Sequence, residues 1–360
     1  MLLVDALRDP ATTATLKAEG WTALLAMARA EQLIGTVARR LSGLAVPDAV
    51  QRILEEARIN AEYQRRSALW EADCARRALA DYPGKVVLMK GTAYAAAGLK
   101  ASEGRHIGDL DIMVAREDLP EVEAALLEAG WEWVKEDAYD DAYYRDHMHE
   151  LPPLIQKERD RMIDVHHTIL PLTARPRPDA AAMLEEAISL NPVRPELVDG
   201  PKGTRNRAST LRHAQGSGRT DNLCIFSPAD RVVHSAAHLF ADGELDGGLR
   251  NLWDIHCLLS EFADDAFWPS LKSRAEHHQL WPAVSRAARL AHQLYATEIP
   301  RDWQSWHSQD KSYVLRLTAR DNWGRGTRKF IRLIFYIRSH WLRMPPLMLI
   351  RHLWVKWRKG

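Results

Sequence analysis

The chain has 360 residues, 46% of them hydrophobic, which is enough for two or three packed units with proper cores. With 49 basic against 48 acidic side chains its net charge is +1, which excludes a global electrostatic preference for nucleic acid or acidic membranes and leaves any such preference to a local patch. Three widely spaced cysteines, Cys74, Cys224 and Cys257, fit neither a disulfide framework nor a zinc site. No basic leader precedes an apolar core and no run of roughly 20 apolar residues occurs, so the expected home is a reducing cytoplasm.

Residues 1–81 read as an N-terminal helical region. Trp21, Leu24, Leu25 and Ala28 recur at helical spacing, as do Leu54, Ala57 and Ala61, and Pro47 and Pro83 punctuate the segment. It holds no constellation of chemical residues, so its expected role is packing. Residues 82–198 change to alternating strands and helices: strands over 86–89 and 110–114, helices over 93–99 and 119–129, the latter closed by Gly130, then strands over 131–134 and 162–166. The pattern predicts an α+β chain: a small mixed sheet with its ligand site at the strand ends, flanked by helical regions.

Residues 199–222 include Gly-Pro-Lys-Gly-Thr-Arg-Asn-Arg and Gln-Gly-Ser-Gly with hardly any large apolar side chain, and read as a mobile basic insertion. Residues 223–360 read as a C-terminal helical domain opened by the cap chemistry of Ser227-Pro-Ala-Asp230. From Arg325 onward there are ten Lys or Arg and no acid, interleaved with aromatics. A helical cap with a basic outer face is the first expectation there; contact with a membrane surface, a polyanion or a partner is the alternative.

The chemistry concentrates in two stretches, Val86-Val-Leu-Met-Lys-Gly-Thr92 and His106-Ile-Gly-Asp-Leu-Asp-Ile-Met-Val114. The first is an apolar run ending in Lys90, Gly91 and Thr92, the punctuation expected where a buried strand stops and the backbone turns to meet a ligand. In the second, period-2 alternation puts Asp109 and Asp111 on one face and Leu110 and Ile112 on the other. Adjacent carboxylates repel unless a cation or proton lies between them, and such hard oxygen donors suit Mg²⁺ or Mn²⁺. A lone Asp-x-Asp is weak evidence, since glycosyltransferases also use it to hold a sugar nucleotide through a metal. A third carboxylate sharpens it: Asp164 lies within Arg161-Met-Ile-Asp-Val-His-His167, on the same strand face as His166.

Lys90-Gly91-Thr92, Arg105-x-x-Gly-Asp-Leu-Asp111 and Ile163-Asp-Val-His166 together resemble the nucleotidyltransferase superfamily, the polymerase-β-like fold, and within it the bacterial nucleotidyltransferase family 5 branch. The similarity extends over most of the chain, including a later helical region with His238 and Arg250-Asn-Leu-Trp-Asp-Ile255. Two features depart from the pattern: Gly91-Thr92 stands where Gly-Ser or Gly-Gly is usual, with a longer gap to Asp109, and the 199–222 insertion is foreign to it.

The resemblance implies a two-metal nucleotidyl transfer from a nucleoside triphosphate such as ATP to an acceptor, with release of pyrophosphate. Asp109 and Asp111 would hold the metal ions on the triphosphate, and Asp164 would complete the site beside an acceptor hydroxyl. Gly91 and Thr92 would receive phosphate oxygens, with Lys90 or Arg105 neutralising their charge, although an ordinary ion pair accounts equally well for either cation. His149, His166, His238, Arg250 and Asp254 are candidates for the surrounding cleft; for the last two, at i,i+4 spacing, a buried helix-packing pair is the alternative.

Two rivals come from other classes. His147, His149, Asp164, His166 and His167 offer donors for zinc or iron in a metal-dependent hydrolase, a reading that leaves the Asp109/Asp111 strand unexplained. A pseudo-transferase that binds RNA or a partner through its basic C-terminal helices would leave three mutually repelling carboxylates without a purpose. The acceptor that the resemblance implies is a small molecule, a peptide or an RNA.

Overall fold

In the computed structural model, the structure describes residues 1–135, 137–190, 222–241, 243, 245–343, 354 and 358. All but the last residue of the expected insertion at 199–222, and the tail beyond 343 apart from Trp354 and Arg358, lie outside the described residues.

Four helices come first: α1 (Leu2–Arg8), α2 (Ala18–Ala30), α3 (Ile34–Arg40) and the 31-residue α4 (Asp48–Ala78). The middle unit runs β1 (Val86–Leu88), α5 (Lys90–Ala96), β2 (Leu110–Met113), α6 (Leu119–Glu128), β3 (Glu132–Trp133), α7 (Ala138–His147), β4 (Leu154–Gln156), β5 (Arg161–His166), α8 (Ala180–Glu185) and β6 (Ile188–Ser189). After β7 (Leu223–Ile225) the chain is helical again, as α9 (Pro228–Ala241), α10 (Gly248–Phe262), α11 (Phe267–His277), α12 (Trp281–Tyr295), α13 (Asp310–Leu317) and α14 (Lys329–Arg343).

The seven strands form one mixed sheet in the order β3-β4-β5-β2-β1-β7-β6. Its centre is the parallel pair of β2 and β5, in register Leu110↔Ile163, Asp111↔Asp164 and Ile112↔Val165. β1 closes antiparallel on β2 and runs parallel to β7. The fold is therefore α+β, as the sequence predicts.

Helix α4 lies against β2, α5 and α6, while α9, α10, α11 and α12 pack on one another as a bundle. Helix α1 joins that bundle by packing on α12, so the first and last helical segments share one apolar core with the sheet. The amphipathic period of these helices is what makes this possible, since each buries a stripe of Leu, Ala and aromatic side chains.

Three details differ from the sequence reading and one agrees with it. Strands β4, β6 and β7 and helix α7 were not expected; the strands span two or three residues each, too short for an alternation to show. Helix α5 starts at Lys90 rather than Ala93, so Lys90, Gly91 and Thr92 form its first turn and not a loop. Gly130 caps α6 with φ +93°, as expected. Helix α14 turns Phe335 and Ser339 inward and leaves Phe330, Leu333 and Ile337 exposed, so its outer face is apolar as well as basic.

Candidate metal centre

The site is built by alternation. Leu110 and Ile112 of β2 and Ile163 and Val165 of β5 are at most 3% exposed and anchor the two strands in the core, which turns Asp111 and Asp164 to the opposite face. Asp109 precedes β2 by one residue and shares that face. One oxygen from each of Asp109, Asp111 and Asp164 lies within 4.8 Å of the other two. Asp111 is buried, Asp164 half-buried and Asp109 exposed, so the cluster opens to solvent on the Asp109 side. Three converging carboxylates form a hard-oxygen donor set that fits a divalent cation.

Lys90 makes the corner between β1 and α5. It takes φ +48°, a conformation that costs a non-glycine residue of the order of 1 kcal/mol, and its Nζ lies 2.5 Å from Asp111 Oδ1. On the other side His166 Nε2 sits 3.1 Å from the same oxygen. Burial opposes ionisation of Asp111, yet Lys90 and His166 more than offset it and hold its carboxyl well below the usual range. Burial likewise opposes the charge on Lys90, and Asp111, Asp109 and Asp164 together overcome that and raise its pKa.

Among the described residues Asp164 has no such partner. Burial, then repulsion from Asp111 and Asp109, pushes its pKa up to about 7. Glu150, which the sequence reading missed, goes to about 8, again through burial first and Asp164 second. Its only sequence signal is its place directly after His147-Met-His149. The segment around it lies antiparallel to the end of β5, through a Glu150↔His166 bridge and backbone bonds from His167 N to His149 O and Leu151 N to Val165 O. This brings the His149 ring to 5.1 Å from that of His166. Burial depresses both imidazoles, His149 strongly. His147 sits apart, edge-on to Tyr143, and His167 is buried beside the His149 backbone, so neither joins the cluster.

The remaining expected residues form the floor. Arg105 is 6% exposed and donates from Nε to Asp254 at 3.0 Å and from Nη1 to His106 O at 3.1 Å, with its guanidinium over the Tyr94 ring. Instead of standing free for phosphate, it ties the middle unit to α10. Gly91 makes room for it: a Cβ there would lie 2.0 Å from Arg105 Nη1, so this glycine serves close packing. Thr92 is 1% exposed, and its Oγ1 has no hydrogen-bond partner among the described residues. Arg250 reaches His106 O at 3.4 Å. His238, Arg105 and Asp254 line, with Lys90, His234 and Asn251, a crevice of about 10 Å³, room for one water. His234, also missed, is buried on α9, and burial followed by the nearby Lys90 lowers its pKa to about 3, keeping the imidazole neutral.

A mixed sheet with three converging carboxylates beside a strand-to-helix corner is the arrangement that the resemblance of the sequence motifs implies. A family profile described as an uncharacterised nucleotidyltransferase matches residues 17–296. The chain belongs to that family, and the match spans every candidate site residue. Neither the curated proteins nor the solved structures gave a match.

Proposed function

We propose that the protein transfers a nucleoside monophosphate group from a nucleoside triphosphate to an acceptor hydroxyl and releases pyrophosphate. The observation that carries this reading is the register Asp111↔Asp164 between β2 and β5, which with Asp109 gathers three carboxylate oxygens within 4.8 Å at an opening to solvent.

Asp109, Asp111 and Asp164 would hold Mg²⁺ or Mn²⁺, which when bound neutralises phosphate charge and polarises the α-phosphate. Asp109 and Asp111 face the triphosphate, and Asp164, opposite Asp111, stands beside the acceptor oxygen. Lys90 is the cation nearest the phosphates: once Asp111 is engaged, its ammonium is free to turn to a phosphate oxygen. The acceptor oxygen forms a bond to the α-phosphorus as the bond from that phosphorus to the bridging oxygen of pyrophosphate breaks, and the hydroxyl proton leaves to solvent. Arg105, Asp254 and Gly91 hold the floor rigid. Acceptor choice would fall to the side of the site that α9 and α10 form, where His234, His238 and Asn251 lie beside Lys90. Such chemistry, with three free thiols at Cys74, Cys224 and Cys257, suits a reducing cytoplasm.

The test is calorimetric binding of a triphosphate analogue blocked between the α- and β-phosphates, with Mg²⁺ present. Asp109→Asn should weaken binding at least about tenfold, whereas Asp164→Ala should retain it and lose transfer. Binding that ignores Asp109 would refute the assignment.

A further inference from the structure

The acidic cluster leaves a second group of donors unused. His149, Glu150 and His166 each offer one ligand atom, all within 4.8 Å of one another, and none of these three belongs to the acidic set. His166 Nδ1 lies 3.3 Å from Glu150 Oε2, and His149 Nε2 lies 3.6 Å from the same oxygen. Around a four-coordinate ion with bonds of about 2.0–2.2 Å, neighbouring donors stand roughly 3.3 Å apart, so two of the three separations already suit one.

An independent observation points to a ligand. His166 is 2% exposed, and its Nε2 is 3.1 Å from Asp111, an acceptor, which fixes the ring proton on Nε2. Nδ1 then carries a lone pair that faces Glu150 Oε2 and has no hydrogen-bond partner among the described residues, so a proton or a cation must lie between the two atoms. A buried imidazole nitrogen left without a donor is costly in an apolar setting, and a cation held by His166 Nδ1, His149 Nε2 and Glu150 satisfies it. The Asp111–His166 contact is the carboxylate–histidine pairing that commonly orients a metal-bound imidazole from behind.

We propose that His149, Glu150 and His166 form a second cation site, separate from the carboxylate cluster, that takes a borderline divalent transition ion of the zinc or cobalt type. Two imidazole nitrogens and one carboxylate favour such an ion over Mg²⁺, which prefers an all-oxygen shell. The backbone bonds that hold residues 149–151 against β5 keep the donors in place. An ion there clamps this segment to the sheet and, through the His166 ring, strengthens the hydrogen bond that positions Asp111. The site does not depend on nucleotidyl transfer being the reaction.

The test uses the full chain, stripped with chelator and titrated with Co²⁺ alone, following the visible absorption of cobalt in a histidine-containing shell. The wild-type protein and Asp109→Asn should each bind one equivalent with the same spectrum, unmoved by millimolar Mg²⁺. His149→Ala and Glu150→Gln should each weaken binding by roughly 10–100-fold or more while circular dichroism stays native. Glu150→Gln keeps the side-chain shape, so it decides the matter if His149→Ala folds badly. Wild-type-like binding in Glu150→Gln, loss of the spectrum in Asp109→Asn, or no histidine-type spectrum in the wild-type protein would each overturn the proposal.

Discussion

Replacing Asp164 by Asn should stabilise the metal-free protein, the opposite of what deleting a buried polar group usually does. Asp164 holds its proton up to about pH 7 in the folded chain and gives it up near its ordinary value of 3.8 when unfolded. Its folded pKa is raised, so below 3.8 it costs nothing, between 3.8 and 7 the cost grows with pH, and above 7 the full cost persists. About three pH units at about 1.4 kcal/mol each give roughly 4 kcal/mol, and screening by solvent entering past the exposed Asp109 lowers that to roughly 2–4 kcal/mol. Asn keeps the shape without the charge. Thermal unfolding in chelator should therefore show Asp164→Asn melting of the order of 5 °C above wild type at pH 8, with the gap closing toward pH 4. A variant that melts lower at pH 8, or a gap independent of pH, would refute the reasoning that crowding and burial strain this carboxylate.

Asp111→Asn should behave in the opposite sense and destabilise by about 3–5 kcal/mol at pH 7, because it leaves the Lys90 ammonium buried without its partner; a urea midpoint at or above wild type would contradict this. Asp254→Ala should cost a similar amount, about 3–5 kcal/mol, by stranding Arg105, and the double replacement Arg105→Met with Asp254→Leu should recover most of it; an additive loss in the pair would exclude a coupled ion pair. Mg²⁺ with a nucleoside triphosphate at about 100 times its Kd should stabilise the wild-type chain by about 2.7 kcal/mol and Asp109→Asn by much less, as read from the melting temperature. Equal shifts in the two proteins would place the nucleotide elsewhere.

The parts of the site that were legible in the sequence are those written in a strict period. The Asp109/Asp111 alternation and the Asp164 strand carried their facing in the chain itself, because burying Leu110, Ile112, Ile163 and Val165 leaves the carboxylates one side to occupy. The pairing of β2 with β5, in contrast, joins residues more than fifty positions apart, and only the structure sets Asp111 opposite Asp164. In the sequence Arg105 reads as a phosphate cation or an ordinary ion pair and Asp254 as a cleft residue or the packing partner of Arg250; their pairing with each other leaves no local pattern, because the two segments are so distant in sequence. Gly91 signalled a close approach correctly, although the approaching group is a guanidinium of the same chain. Glu150 and His234 were invisible for a related reason: the first lies just beyond α7 and becomes part of the site through a single bridge to His166, and the second is one more polar residue on an amphipathic helix. The short strands β4, β6 and β7 are fixed by the strands they pair with, which sequence propensity does not record.

The most direct test of the central claim follows two labels through the reaction. The purified chain, supplied with Mg²⁺ and cell extract depleted of large proteins, is given each nucleoside triphosphate labelled on the α-phosphate or, separately, on the γ-phosphate. Nucleotidyl transfer requires the α-label to appear in a new acceptor and the γ-label only in pyrophosphate, with both signals absent for Asp164→Ala. Transfer of the γ-label to the acceptor, or α-label transfer that survives in Asp164→Ala, would contradict the account.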